Sequence, residues 1–173
     1  MHDGMFVFDN VVHMYDNSSA NVIDAEMANL RFTDSLYAIS AALSDGKAFT
    51  PDPRFRDSQL DVADALRMLF EESDTDMVMA QAIPVMTYWR DGYFPIARNY
   101  ALKEAAPDRV LFCGAVDPNS MSTAQARREM ERQVRDLGAC SFKFYQSGAE
   151  GETWAADDRE VAYPLYELSL IHI

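Results

Sequence analysis

Cysteine, histidine and positive charge are all scarce in this chain of 173 residues. The two cysteines, Cys113 and Cys140, have neither the spacing of a metal knuckle nor the number for a disulfide framework. They read as buried thiols of a protein kept in a reducing cytoplasm. Lysine and arginine total 15 against 28 aspartates and glutamates, a formal charge of −13. A nucleic-acid binder needs a basic face to displace counterions, and an anionic membrane surface repels an acidic chain, so neither is expected as a partner. No apolar run approaches the ~20 residues that cross a bilayer. The opening Met1-His2-Asp3-Gly4-Met5 lacks the basic region and long apolar stretch of a secretion signal. No glycine-rich dinucleotide fingerprint and no P-loop follows any apolar run.

What is present is a core. About half the residues are apolar and 12% are aromatic, which suits a single globular domain over residues 1–173. Four short apolar runs read as strands: Met5 to Val12, Met77 to Val85, Arg109 to Val116 and Cys140 to Tyr145. The second is broken only by Gln81 and is expected to be buried on both faces. Helices are expected over Asp24 to Leu30 and Ser35 to Leu43. Another opens at Ser58, with Asp61 in the capping-box position and Leu60, Ala63, Leu66 or Arg67, and Phe70 as its face. Pro95 leads a helix over Ile96 to Ala106. Ser122 with Gln125 opens a further one, with Ala126, Met130, Val134 and Leu137 inward and Gly138 as its stop. Arg159 to Leu168 is expected to form the last. Thr50 to Arg56 carries two prolines and reads as an excursion above the fold, a lid.

The later strands begin near positions 77, 110 and 140, a period of about thirty residues that matches a βα unit. Strands without alternation, separated by amphipathic helices, imply a parallel sheet covered by helices. A doubly wound sheet and a barrel both satisfy this, and the missing phosphate-binding glycines favour the barrel. The expected fold class is therefore α/β, the N-terminal half (about four βα units) of a TIM-type (β/α)8 barrel with parallel strands and outer helices. Eight units close such a barrel, so the chain is expected to be truncated at its C-terminal side.

Function in such folds sits at the carboxyl ends of the strands. Those positions hold His13, Tyr15 and Asp16, then Pro84, Tyr88, Trp89 and Arg90, then Asp117 and Asn119, then Lys143, Tyr145 and Gln146. His13 is either a satisfied structural histidine or a ligand. Asp117-Pro118 is either a strand-ending turn or a site carboxylate. A lysine inside an apolar strand must find a partner or change its pKa, which makes Lys143 informative. The aromatics Tyr88, Trp89, Tyr93, Phe94 and Trp154 are packing residues, or a wall for a substrate.

Phe6-Val7-Phe8-Asp9-Asn10-Val11-Val12-His13-Met14-Tyr15-Asp16 resembles the opening strand of the amidohydrolase superfamily, in its amidohydrolase-related branch. Asp76 to Pro84, Arg109 to Pro118, Leu137 to Tyr145 and Asp157 to Glu167 continue the resemblance in the same order. It implies a (β/α)8 barrel and metal-assisted hydrolysis of a small carbonyl- or carboxylate-bearing substrate, or decarboxylation in one branch. The family's opening motif is Asp-x-His-x-His. Asp9 takes its first place, Val11 stands where the first histidine belongs, and His13 takes the second. Valine binds no metal, so either His13 works with Asp16 and later ligands or the metal is absent. With a metal, zinc is expected, lowering the pKa of bound water to about 7 and polarising a carbonyl. The resemblance then makes His13 a metal ligand, with Asp16, Lys143 and Asp117 as catalytic residues. Trp89, Tyr88 and Tyr145 contact the small-molecule substrate.

A non-catalytic homologue, or a homo-oligomer pairing two half-barrels, is the alternative that the loss of the motif histidine raises. Leu170-Ile171-His172-Ile173 superficially supplies a fifth strand with its histidine. Leu168 to Ile173 also matches one reading frame of a common sequencing-library transposon adapter. These six residues are therefore expected to be foreign to the protein.

Overall fold

The computed structural model describes residues 4–28, 33–43, 58–148 and 151–171. The expected lid at Thr50 to Arg56 lies outside them, as do His2 and His172. The elements run β1 (Phe8–Val12), α1 (Ala25–Ala28), α2 (Asp34–Leu43), α3 (Val62–Phe70), β2 (Met77–Gln81), α4 (Ile96–Ala105), β3 (Val110–Ala115), α5 (Thr123–Leu137), β4 (Ser141–Lys143) and α6 (Ala162–Ile171). The fold is α/β with one four-stranded sheet. Its order is β1-β2-β3-β4 and every pair is parallel.

Local chemistry explains most boundaries. Ser122 accepts the Gln125 N–H while the Gln125 side chain accepts the Ser122 N–H, the reciprocal box that starts α5. Gly138 closes that helix at φ 64°, a left-handed position suited to glycine. α3 starts from Asp61, whose carboxylate accepts the Ala63 N–H at 2.8 Å, and not from Ser58. Ser58 is held elsewhere: its carbonyl accepts from Asn17 N–H and Leu60 N–H donates to the Tyr15 carbonyl, so this stretch pairs with the exit of β1. Leu60, Leu66 and Phe70 pack against the core as expected, with Ala65 buried among them, whereas Ala63 is exposed, contrary to expectation. The Asp158 carboxylate accepts the Glu160 and Val161 N–H groups, and this turn delays α6 to Ala162. α6 then runs through Leu168 to Ile171, so among the described residues this stretch is helical and not a strand.

One face of the sheet carries the core. Val78, Ala80 and Val110 pack with Met14, Ala65 and Leu102, while Phe112 packs with Ile96 and Ala139. Val116 packs with Ala126, Met130 and Leu165. Thus α3, α4 and α5 cover the same side. On the other side Met77 and Met79 are half-buried and Leu111 is 37% exposed. β2 is therefore buried on its helix side and only half-buried at Met77 and Met79 on the other, while Gln81 to Val85 are buried as expected; its alternation is hidden because both sides carry apolar side chains.

β1 contains a register break. Asp9 lies opposite Val78 and Val12 opposite Ala80, three steps against two, so one extra residue sits between them. The Asp9 carboxylate accepts the Val11 N–H at 3.0 Å and satisfies the backbone inside this bulge. Asp9 and Val12 share the register side of Val78 and Ala80, and His13 falls on the opposite side. Without the extra residue, period-two alternation would put Asp9 and His13 on one side.

Candidate functional site

Gln81, the last residue of β2 and 9% exposed, joins three strands at their carboxyl ends. Its main-chain carbonyl accepts His13 Nδ1–H at 2.8 Å. Its Nε2 donates to the Asn10 carbonyl in β1 at 2.6 Å. Its Oε1 accepts from Lys143 Nζ of β4 at 3.2 Å, reaching across β3, where Cys113 is its register partner. A carbonyl can only accept, so Nδ1 carries the imidazole proton and Nε2 keeps its lone pair. The His13 ring stacks on Phe94 with centroids 4.5 Å apart and planes 10° from parallel.

Burial pushes the His13 imidazole below the usual histidine range. The Gln81 bond opposes that shift, and the Lys143 charge reinforces it. Burial also pushes the Lys143 ammonium down and the Cys113 thiol up. Backbone placement behind His13 comes from α4. Asn99, fully buried, accepts the Met14 N–H at 3.1 Å and donates to the Pro95 carbonyl at 2.8 Å. Lys143 Nζ also sits 5.7 Å from the centroid of the Tyr145 ring. Among the described residues no carboxylate pairs with it.

The two aspartates are occupied differently from what their positions suggest. Asp117 is buried; its Oδ2 accepts the Met86 N–H and its Oδ1 accepts both the main-chain and side-chain N–H groups of Asn119. Asn119 Nδ2 and Trp154 Nε1 both donate to the Tyr145 carbonyl. Asp117 thus staples the loops after β2 and β3, and Asn119 extends the staple to the loop after β4. Asp16 accepts from the Ser18 N–H and hydroxyl and closes its own turn.

The segment after β2 folds back on itself. Ile83 and Phe94 exchange both main-chain hydrogen bonds, Gly92 turns at φ 87°, and Val85 is held at φ 74°. A Cβ at Gly92 would stand 2.6 Å from the Ile83 carbonyl oxygen. This hairpin gathers Tyr88, Trp89 and Tyr93 into one cluster, against which Phe94 and Tyr145 pack. Ring contacts run from Trp89 to Tyr93 at 4.6 Å, to Phe94 at 4.3 Å, and on to His13. Tyr88, Trp89 and Tyr145 are brought together, but the ring that touches His13 is Phe94. Trp89 and Tyr88 lie beneath it, buried.

His13, Lys143 and Tyr145 thus converge, whereas Asp16 and Asp117 make their bonds to nearby loops. Gln81 and Asn99 were not among the expected site residues, whereas Phe94 was expected as packing or as part of a substrate wall. Gln81 carried a usable signal, being the one polar residue in the run Met77 to Val85. Among the described residues no three of histidine, cysteine, aspartate and glutamate gather as a metal-holding group. His13 Nε2 keeps the lone pair that one position of such a site would need, and the described residues gather no set of three donors around it. No family model, no curated protein and no solved structure matches the chain.

Proposed function

We propose that the chain is the first half of a singly wound (β/α)8 barrel enzyme of the amidohydrolase-related type, a hydrolase acting on a small carbonyl- or carboxylate-bearing substrate. Sequential strand order with helices on one face supports the barrel, because a doubly wound sheet reverses its order at a switch point. The observation that carries the activity is the convergence of His13 and Lys143 on Gln81 at the carboxyl ends of the strands.

His13 Nε2 would hold a divalent metal, which when bound lowers the pKa of water to about 7 and polarises a carbonyl. The chain's own residues do the rest. The Gln81 carbonyl fixes the tautomer that points the Nε2 lone pair outward. Phe94 holds the ring plane and keeps water off that face. Lys143, steadied by Gln81 Oε1, places positive charge where an oxyanion or carboxylate of the substrate lies.

Eight units close the barrel, so the reading requires four more, and the assay belongs on the protein that carries them. Esters, amides and carboxylic acids of small size are the panel, with hydrolysis products and CO₂ release followed in parallel. Turnover is expected, falling about 100-fold or more in His13→Ala. Release of CO₂ alone moves the reading to decarboxylation. Turnover indifferent to His13→Ala overturns it.

A further inference from the structure

Cys113 shares the side of Met79 and Leu111, the side that α3, α4 and α5 leave open, yet it is 4% exposed. Two side-chain bridges enclose it. Ser141, its register partner in β4, donates its hydroxyl to Met79 Sδ of β2 at 3.5 Å. Lys143, two residues further along β4, donates to Gln81 Oε1 of β2 at 3.2 Å. Both bridges run from β2 to β4 across the strand that carries the thiol. Cys113 is therefore framed by a thioether and a hydroxyl on one side and by an amide and an amine on the other. The Ser141 hydroxyl hydrogen-bonds the thiol, and the Lys143 charge acts on it. Adjacent strands lie about 4.8 Å apart, so a lysine that reaches Gln81 across two spacings carries its nitrogen past a thiol one spacing away. Every member of this frame belongs to β2, β3 or β4.

We infer that Cys113 and Lys143 form an oxidative modification site, at which a hydroperoxide joins the two side chains through a sulfur–nitrogen bond. The thiol sulfur attacks one peroxide oxygen and the O–O bond breaks. The rest of the peroxide leaves as water or an alcohol, taking up the thiol proton, and the sulfur, oxidised by two electrons, is left as a sulfenic acid. The neutral Lys143 amine then attacks that sulfur. The S–N bond forms, the S–O bond breaks, and the hydroxyl departs with an amine proton as water. Burial holds the Lys143 ammonium below its usual range and so favours the neutral amine that this step requires. Burial also keeps the thiol protonated, so the first step quickens as pH rises. The link removes the positive charge of Lys143, and it stands whether or not the chain is a hydrolase.

The test is treatment of the full chain carrying Cys140→Ser with hydrogen peroxide, read by intact and peptide mass spectrometry. Cys140 is the exposed thiol, and its replacement leaves no second cysteine for a disulfide within the chain. The expected result is a loss of two hydrogen masses, a joined pair of peptides carrying Cys113 and Lys143, and recovery of both residues with dithiothreitol. Lys143→Arg in the same background keeps the charge but offers no nucleophilic amine. It is expected to lose the joined pair and to leave Cys113 as a sulfenic acid that dimedone traps. The same loss of two hydrogens in Lys143→Arg would assign the nitrogen to the main chain and overturn the site. Cys113 left unmodified, Cys113 carried to the sulfinic acid with no link, or a link heavier by one oxygen atom each overturns it as well. Should Lys143→Arg fail to fold, the peptide map of the chain with Cys140→Ser alone decides the matter.

Discussion

His13 donates its Nδ1 proton to the main-chain carbonyl of Gln81 at 2.8 Å, so the imidazole is oriented by an atom that the side chain at position 81 does not supply. Gln81→Met should therefore keep the Nδ1–H tautomer while depriving Lys143 of its amide acceptor. Nitrogen-15 NMR of the imidazole checks this, and a switch to the Nε2–H tautomer in Gln81→Met would show that the side chain sets it.

The same histidine gives a pH dependence. Its folded pKa lies below the ordinary 6.5, chiefly through burial, so the unfolded chain binds the proton more readily. Stability from this group is intact above about 6.5 and is lost as pH falls from there through the folded pKa. Titration of the His13 ring should give a midpoint under 6.5. Removing the Lys143 charge, which also lowers it, should raise that midpoint in Lys143→Met. A wild-type midpoint at or above 6.5 contradicts the burial argument.

Asp91 has the opposite sign. Burial raises its carboxyl above the usual range, and the Ala97 N–H offsets part of that. The folded state thus holds this proton more tightly, and stability falls as pH rises through the interval between the unfolded and folded values. Asp91→Asn should gain thermal stability relative to the wild type at pH 7 and lose that advantage at pH 4. Melting curves at the two values decide it, and an equal difference at both counts against the shift.

Asn99 should prove costly to replace. Asn99→Leu strands the Met14 N–H, and the expected loss is about 2–3 kcal/mol in urea unfolding. Asn99→Asp keeps the acceptor and loses the donor to Pro95, so the two variants separate the bonds. A cost for Asn99→Leu below that of an ordinary surface substitution means the Met14 N–H has another partner.

Gly114 has no room for a methyl group. A Cβ there would stand 2.2 Å from Gln133 Oε1 and 2.9 Å from the Phe142 ring. Gln133, fully buried, bonds both the N–H and the carbonyl of Ala115. Gly114→Ala is expected to cost about 3 kcal/mol, at the upper end for overpacking. Hydrogen exchange at the Ala115 amide should quicken with it.

Particular residues show which parts of this were legible in sequence. Ser122, Gln125 and Gly138 delimit α5 by local chemistry, and each does in the structure what its type suggests. The four strands were visible as apolar runs because burial of the sheet demands them. Ser58 misled, because its pairing with Asn17 is made across forty residues of chain and leaves no local trace. Gln133 was hidden for a related reason: a polar residue on an amphipathic helix reads as solvated unless its strand partner is known. Of the candidate site, His13, Lys143 and Tyr145 were found by their place at strand ends. The separation of Asp16 and Asp117 from them depends on turn bonds that position alone does not reveal.

The extra residue in β1 sets the parity of everything that follows it. Deleting one residue between Asp9 and Val12 would exchange the sides of His13 and Met14. A thioether now enclosed with Ala65 and Leu102 would be turned outward, and an imidazole would be driven into the helix layer. Changes of two residues would preserve the phase. Length variation in this stretch is thus quantised: even steps keep the histidine on the open side of the sheet, and odd steps remove it.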